Sequence, residues 1–332
     1  MENATLSCAV LGCGLMGSRH AQTLRHTPGC RCVCVHDSVI AKAQTLAAQI
    51  GVEAVSDYRE ILKRDDINAV VICLPSSFHG DYGIQAAEAG KHVITEKPID
   101  ISLEKANALT EAADKHGTLL TVISQNRFLE GSMALKKAID EGLLGDLLLA
   151  NVSIKWYRDD GYYTKSDWRG TFRGEGGGVL MNQGIHYMDL LLWYMGDVAE
   201  AGSCIMTSRA ILETEDVAAV LLKMKSGAIA TITASTSAYP GFPERMELHG
   251  RRGSAVLEQG KIVLWQQVDG RTPPTVVFDP PDPPDLDAKL VPFQRQYRDI
   301  LAALRNGHPP LVTPQEATRV VDTVLEAYRG RL

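Results

Sequence analysis

LSCAVLGCGLMGSRHAQTLRHT, residues 6–27, decides how the rest of the chain is read. An apolar run, a G-x-G-x-x-G pattern at 12–17 and a helix-like segment follow one another without a break. Alone the glycine pattern is weak; a strand before it and a helix after it give it meaning. Gly12 allows a tight turn, Gly14 lets backbone approach a pyrophosphate, and Gly17 lets the helix pack closely, with the phosphates on the helix N-terminus. Asp37 ends the next strand, twenty residues past Gly17. A carboxylate there accepts hydrogen bonds from ribose hydroxyls and repels a 2′-phosphate, so NAD is the expected cofactor. Ser38 and Lys42 could each contact a phosphate, which keeps NADP admissible. Arg19 and His20 are expected on the helix surface.

Working outward, CRCVCVHD reads as a strand and residues 38–49 as a helix. AVVICLP (69–75) is a continuous apolar run, as in parallel strands buried on both faces. HGDYGIQAAEAG reads as a helix closed by Gly90, and residues 102–116 as a helix closed by Gly117, with HVITEKP between them. TLLTVISQNR follows as a strand. Repeated βα units imply a doubly wound parallel sheet with helices on both faces. After about residue 126 the texture changes to one helix, SMALKKAIDEG, and long alternating segments. Residues 217–222 and 228–233 flank SGA as a hairpin. The expected fold is therefore α/β: an N-terminal nucleotide-binding domain over 1–125, and an α+β domain over 126–332 with a large, mostly antiparallel open sheet. PPTVVFDPPDPPDLDAK is expected to be a solvated loop and TPQEATRVVDTVLEAYRG a closing helix.

The net charge is −6, from 34 Lys and Arg against 40 Asp and Glu. That gives no reason to expect nucleic acid or an anionic membrane as partner. No apolar run is long enough to span a membrane, and MENATLSCAVLGCG lacks the basic start of a signal peptide. Seven scattered cysteines suggest no disulfide framework and fit a reducing cytoplasm. Cys30, Cys32 and Cys34 alternate along a strand, so all three are expected on one face as buried small hydrophobes rather than as a metal site.

HVITEKPID (92–100) ends an apolar run in Glu96-Lys97-Pro98. Proline cannot continue a central strand and restricts the residue before it, so Lys97 is held where a strand stops. In EGGGVLMNQGIHYMDLLLWYMG (175–196), Asn182, His186 and Asp189 fall at i, i+4 and i+7, on one helix face. Glycines 176–178 are expected to free that helix's N-terminus for a ligand. Asp189 is expected to brace His186 or the fold.

These motifs together resemble the Gfo/Idh/MocA oxidoreductases, and the resemblance runs over essentially the whole chain. It rests on Pro75 and His79 after the third main strand, on Gly90-Lys91-His92-Val93, on Glu96-Lys97-Pro98, and on similarity to the signature G-G-G-x-x-x-D-x-G-x-H-x-x-D. It implies a Rossmann domain followed by a domain whose open sheet forms homodimers or homotetramers. It implies hydride transfer between a nicotinamide and a sugar, glycoside or inositol. Lys97 and His186 are the implied catalytic residues. Position 182 departs from the signature: an amide binds a hydroxyl but cannot act as a general base. Proton transfer then rests on His186, on Lys97, or on both. An imidazole titrates in the useful range. The lysine can hydrogen-bond the reacting oxygen, or act as base if a positive nicotinamide lowers its pKa.

The resemblance further implies cofactor contacts from Leu15, Met16, Leu74, Pro75, Ser76, His79, Glu96, Lys97 and Asn126, and from Trp168 and Arg169. Substrate contacts are implied from Asn182, Lys97 and Arg127; independently, the stretch KWYRDDGYYTKSDWRG offers aromatic faces and guanidinium forks that suit polyhydroxylated rings, chiefly Tyr157 and Tyr163, with Tyr162 beside them. No metal is implied. Two further readings stand beside the dehydrogenase: an NAD-dependent glycosidase that oxidises a sugar transiently, and a non-catalytic cofactor-sensing regulator. Retention of both Lys97 and His186 weighs against the regulator.

Overall fold

The computed structural model describes residues 5–330, which divide into two compact units. One runs to Gln125 and also takes in Asp282–Thr318; the other holds Asn126–Pro281 and the chain from Arg319. This differs from a single cut after residue 125, because a late segment returns to the first unit.

The first unit carries six strands: β1 (Leu6–Leu11), β2 (Cys30–His36), β3 (Glu53–Val55), β4 (Ala69–Ile72), β5 (His92–Thr95) and β6 (Leu120–Val122). Their order is β3-β2-β1-β4-β5-β6 and every pairing is parallel. That is the doubly wound dinucleotide-binding order. The helices between them are α1 (Leu15–Arg25), α2 (Ile40–Ile50), α3 (Tyr58–Leu62), α4 (His79–Glu88) and α5 (Leu103–His116). Ser102 caps α5 by accepting from Lys105 N–H, and Gly117 stops it in the left-handed conformation.

Three local expectations change. TLLTVISQNR is not one strand: β6 stops at Val122, and Gln125–Phe128 forms a 3₁₀ turn. The three cysteines of β2 do not share a face. The pairing of Cys8 with Cys32 and of Ala9 with Cys34 skips Val33. That bulge reverses the alternation, so Cys32 and Val35 join the main core while Cys34 is buried outside it. Residues 291–306, to which the sequence reading gave no element, form a helix.

In the second unit α6 (Glu130–Asp140), α7 (Asp160–Thr164), α8 (Phe172–Glu175) and α9 (Ile185–Met195) accompany seven strands. These are β7 (Leu147–Lys155), β8 (Val198–Met206), β9 (Val217–Met224), β10 (Ile229–Ser235), β11 (Phe242–Gly250), β12 (Gly253–Glu258) and β13 (Lys261–Gln267). The order is β13-β12-β11-β7-β10-β9-β8, antiparallel except for the β7–β10 pair. β9 alternates buried Ala218, Val220, Leu222 and Met224 with open Leu221 and Lys223, as a sheet with one covered face requires.

Two helices close the chain, α10 (Val291–Asn306) and α11 (Pro314–Arg329). Phe293, Tyr297, Ile300 and Leu301 of α10 complete the core around Leu6, Leu24 and Val35. Gln296 of α10 donates to Val122 O and accepts from Ser124 N–H, closing the end of β6.

Candidate active site

On the first unit, β1 delivers the glycine loop. Gly12 sits at φ 91°, and a Cβ there would overlap the carbonyl of Cys73; one at Gly17 would overlap Gly12 O. A Cβ at Gly14 would meet nothing within 4 Å. Two of the glycines are therefore demanded by the protein's own packing, while the middle one faces open space. α1 starts at Leu15 with no side-chain cap and no acid in its first turn, leaving its first N–H groups to a ligand. Leu15 is exposed and Met16 half-buried. Beside them lies a cavity of about 500 Å³, lined by Cys13, Gly14, Leu15, Ser18, Lys42 and Thr45 among others.

Asp37 pins the loop, accepting Cys13 N–H at 2.8 Å through one oxygen and Val39 N–H at 2.9 Å through the other. Burial, helped by Asp37, pushes the Cys13 thiol up to about 12, so it is no nucleophile. An open cradle, an uncapped helix and a fixed carboxylate fit a dinucleotide.

The segment after β5 is built rigidly. Glu96 is buried; its Oε2 accepts Lys97 N–H at 3.1 Å, and its Oε1 meets His20 Nε2 at 3.0 Å. His20 Nδ1 in turn meets Tyr297 Oη at 2.8 Å. His20 is thus fully buried rather than on the helix surface, because α10 covers that side of α1. The chain Tyr297–His20–Glu96 fixes the backbone of half-buried Lys97, whose peptide bond to Pro98 is cis. His79 is buried too, its ring nitrogens 2.7 Å from Pro98 O and 2.9 Å from Leu74 O. It is a strut tying Leu74 to Pro98; half-buried Pro75 and Ser76 lie on the loop it supports.

On the second unit, Leu180–Gly184 forms a π-helical turn that runs into α9. Gly184 N–H reaches Val179 O, five residues back. Such turns re-aim side chains and recur at functional sites. From Gly177 to Leu192 every residue is buried except Asn182 and His186, both half-open. The ring of Trp156 lies 6.2 Å from that of His186, and its indole N–H is held by Glu244 at 2.8 Å. Asn182 donates to Glu175 Oε1 at 2.5 Å and approaches Tyr162 Oη at 3.5 Å. Arg169 lies over the Tyr162 ring at 4.3 Å and over Trp168 at 5.1 Å.

Other expectations meet a different arrangement. Arg127 is fully buried and forks onto Asp189 at 2.9 and 2.7 Å. Asp189 therefore holds Arg127 inside the second unit. Tyr163 is buried with its hydroxyl bonded to Thr236 at 2.7 Å, and burial raises its pKa. Tyr157 is half-exposed, edge-on to Tyr239. Asn126 is half-buried in the 3₁₀ turn.

Glycines 177 and 178 serve packing rather than a ligand: side chains there would strike Tyr328 Oη and Glu215 O. Buried Glu215 accepts Gly178 N–H at 2.8 Å, Leu180 N–H at 2.9 Å and the Tyr328 hydroxyl at 2.8 Å, with its pKa raised by burial. The sequence reading missed Trp156, Glu175, Glu215 and Tyr328; only Glu175, directly before the glycine run, had a visible cue. Among the described residues no cluster of three metal-ligating side chains occurs, and no helix is long and apolar enough to cross a membrane.

Residues 6–124 match the model of an oxidoreductase family with an NAD-binding Rossmann fold, and residues 132–256 match the Gfo/Idh/MocA C-terminal domain. The chain is 30% identical over 319 residues to scyllo-inositol 2-dehydrogenase (NAD(+)) of Bacillus subtilis (strain 168), covering 94% of this chain and 90% of the relative. It is 30% identical to inositol 2-dehydrogenase of Rhizobium meliloti (strain 1021), covering 80% and 79%. A solved WlbA dehydrogenase from Bordetella pertussis, in complex with NADH and UDP-GlcNAcA, superposes with TM-score 0.87 at 26% identity, over 98% of this chain and 96% of that one. With both of its units matched and its similarity extending nearly end to end, the chain belongs to the Gfo/Idh/MocA family of oxidoreductases.

Proposed function

We propose that the protein oxidises a secondary hydroxyl of an inositol, sugar or glycoside to the ketone, with NAD as hydride acceptor. Similarity along 94% of the chain to a dehydrogenase whose name states both an inositol and NAD carries the reading. Gly12, Gly14, Gly17 and Asp37 would hold NAD, which would supply the carbon that takes hydride. Lys97, its backbone fixed by Glu96, donates a hydrogen bond to the reacting oxygen and stabilises its developing charge. His186 takes the hydroxyl proton. Asn182 binds a substrate hydroxyl, Tyr157 in the same unit offers an aromatic surface, and Trp168 and Arg169 are assigned to the cofactor. The named relatives are dehydrogenases, which favours this reading over transient oxidation followed by glycoside cleavage.

The open face of the seven-stranded sheet exposes Leu149, Leu221 and Ile229, and we assign self-association into a homodimer or homotetramer to it. Seven cysteines, all free, support a cytoplasmic location.

A panel of inositols, sugars and glycosides incubated with NAD or NADP, with nicotinamide absorbance and products followed, tests the reaction. Net NADH formation with a ketone product is expected for at least one polyol. Aglycone release without net NADH, or no reaction with any polyol, contradicts it.

A further inference from the structure

Position 182 carries an amide, and an amide alone does not determine which of its ends faces a hydroxyl. Glu175 settles that here. It is 4% exposed, at the end of α8. One carboxylate oxygen accepts Gly170 N–H at 2.6 Å and the other accepts from Asn182 Nδ2 at 2.5 Å. A carboxylate only accepts, so the NH₂ end of Asn182 must face Glu175 and the carbonyl oxygen must turn away. The hydrogen bond from its NH₂ also polarises the amide, strengthening that oxygen as an acceptor. Gly170, at φ 69°, and the short helix after it fix the carboxylate in turn.

We infer that Glu175 is a positioning residue that orients and polarises Asn182, so that the amide receives a hydrogen bond from a substrate hydroxyl and does not donate one. The dyad thereby selects a substrate with an O–H at this point over one with a carbonyl or ether oxygen. The inference rests on Asn182 being the substrate-binding residue proposed above.

The test is a cycle of Glu175→Gln, Asn182→Asp and the double variant, read in turnover and in melting. Glu175→Gln frees the amide to flip, and should lower kcat/KM for the polyol about 10- to 100-fold, mostly through KM, with NADH affinity within twofold of the parent. Asn182→Asp sets two carboxylates against each other, which share a proton. Its melting temperature should fall as pH rises from about 5 to 8, and its activity should shift toward acid. In the double variant the new amide at position 175 donates to the new carboxylate at position 182, restoring one donor and one acceptor. It should regain about tenfold or more in kcat/KM over Asn182→Asp and lose the pH-dependent melting.

Effects of the two changes that simply add, in turnover and in melting, would overturn the inference, as would a Glu175→Gln variant within twofold of the parent. The melting arm needs no substrate. Absence of any polyol activity would therefore sink the proposed reaction, while the melting cycle still decides whether the two side chains act as a pair.

Discussion

Asp37 has two jobs that pull its substitutions apart. It holds Cys13 N–H, and so the shape of the glycine loop, and under the proposed function it also repels a 2′-phosphate. Lys42 lines the adjoining cavity. Asp37→Ser should shift the ratio of kcat/KM values toward NADP by about tenfold or more, while raising the KM for NAD; an unchanged ratio would remove Asp37 from cofactor selection.

His92, at the start of β5, accepts Leu119 N–H on Nδ1 at 3.0 Å, and burial lowers its pKa below 6.5. A depressed imidazole contributes stability that is present above its unfolded pKa and is lost as pH falls through the folded one. Melting temperature should therefore decline from neutral pH toward about pH 5 more steeply in the parent than in His92→Asn, whose amide oxygen still accepts. Parallel profiles would exclude His92 as a contributor.

At the scale of elements, legibility followed locality. The packing at Gly17, the hairpin of β9 and β10 and the Ser102–Gly117 helix depend on neighbours within a few residues, and the residues state them. The bulge at Val33 and the π turn at Leu180–Gly184 depend on strand pairing and helix packing, which leave no local mark.

Helix α10 is the instructive omission. Its stripe of Phe293, Tyr297, Ile300 and Leu301 has helical spacing, with Pro292 near the start and Gly307 at the stop. Its destination was hidden: its Gln296 meets Ser124, 172 positions earlier in the chain. That omission is why His20 read as a surface residue. Glu215 and Tyr328 went unnoticed for the same kind of reason, since each gains its role from a distant partner. Because Ile300 is fully buried in this core, Ile300→Ala should cost about 2–4 kcal/mol in chemical denaturation. A loss below about 1 kcal/mol would show that α10 does not stabilise the first unit.

For the whole molecule, βα rhythm sufficed for class and the glycine loop with Asp37 for cofactor type, while substrate contacts were the least legible. Arg127 and Tyr163 read as ligand residues because of their chemistry, and each is buried with a partner in its own unit, Asp189 and Thr236. Nothing in one sequence distinguishes a guanidinium forked on a buried aspartate from one aimed at a sugar. Assembly belongs to this scale too. Leu221→Glu on the open sheet face should raise the dissociation constant of the proposed oligomer on the order of tenfold or more, measured by sedimentation. Unchanged association would move the interface elsewhere.

The central claim is that a lysine held at the end of β5 acts on the oxygen of an alcohol being oxidised by NAD. The most direct measurement compares Lys97→Ala with the parent on the same polyol, with NADH binding followed by fluorescence. The account predicts a fall in kcat/KM on the order of 10³-fold with NADH affinity nearly unchanged. Turnover within about tenfold of the parent would contradict it.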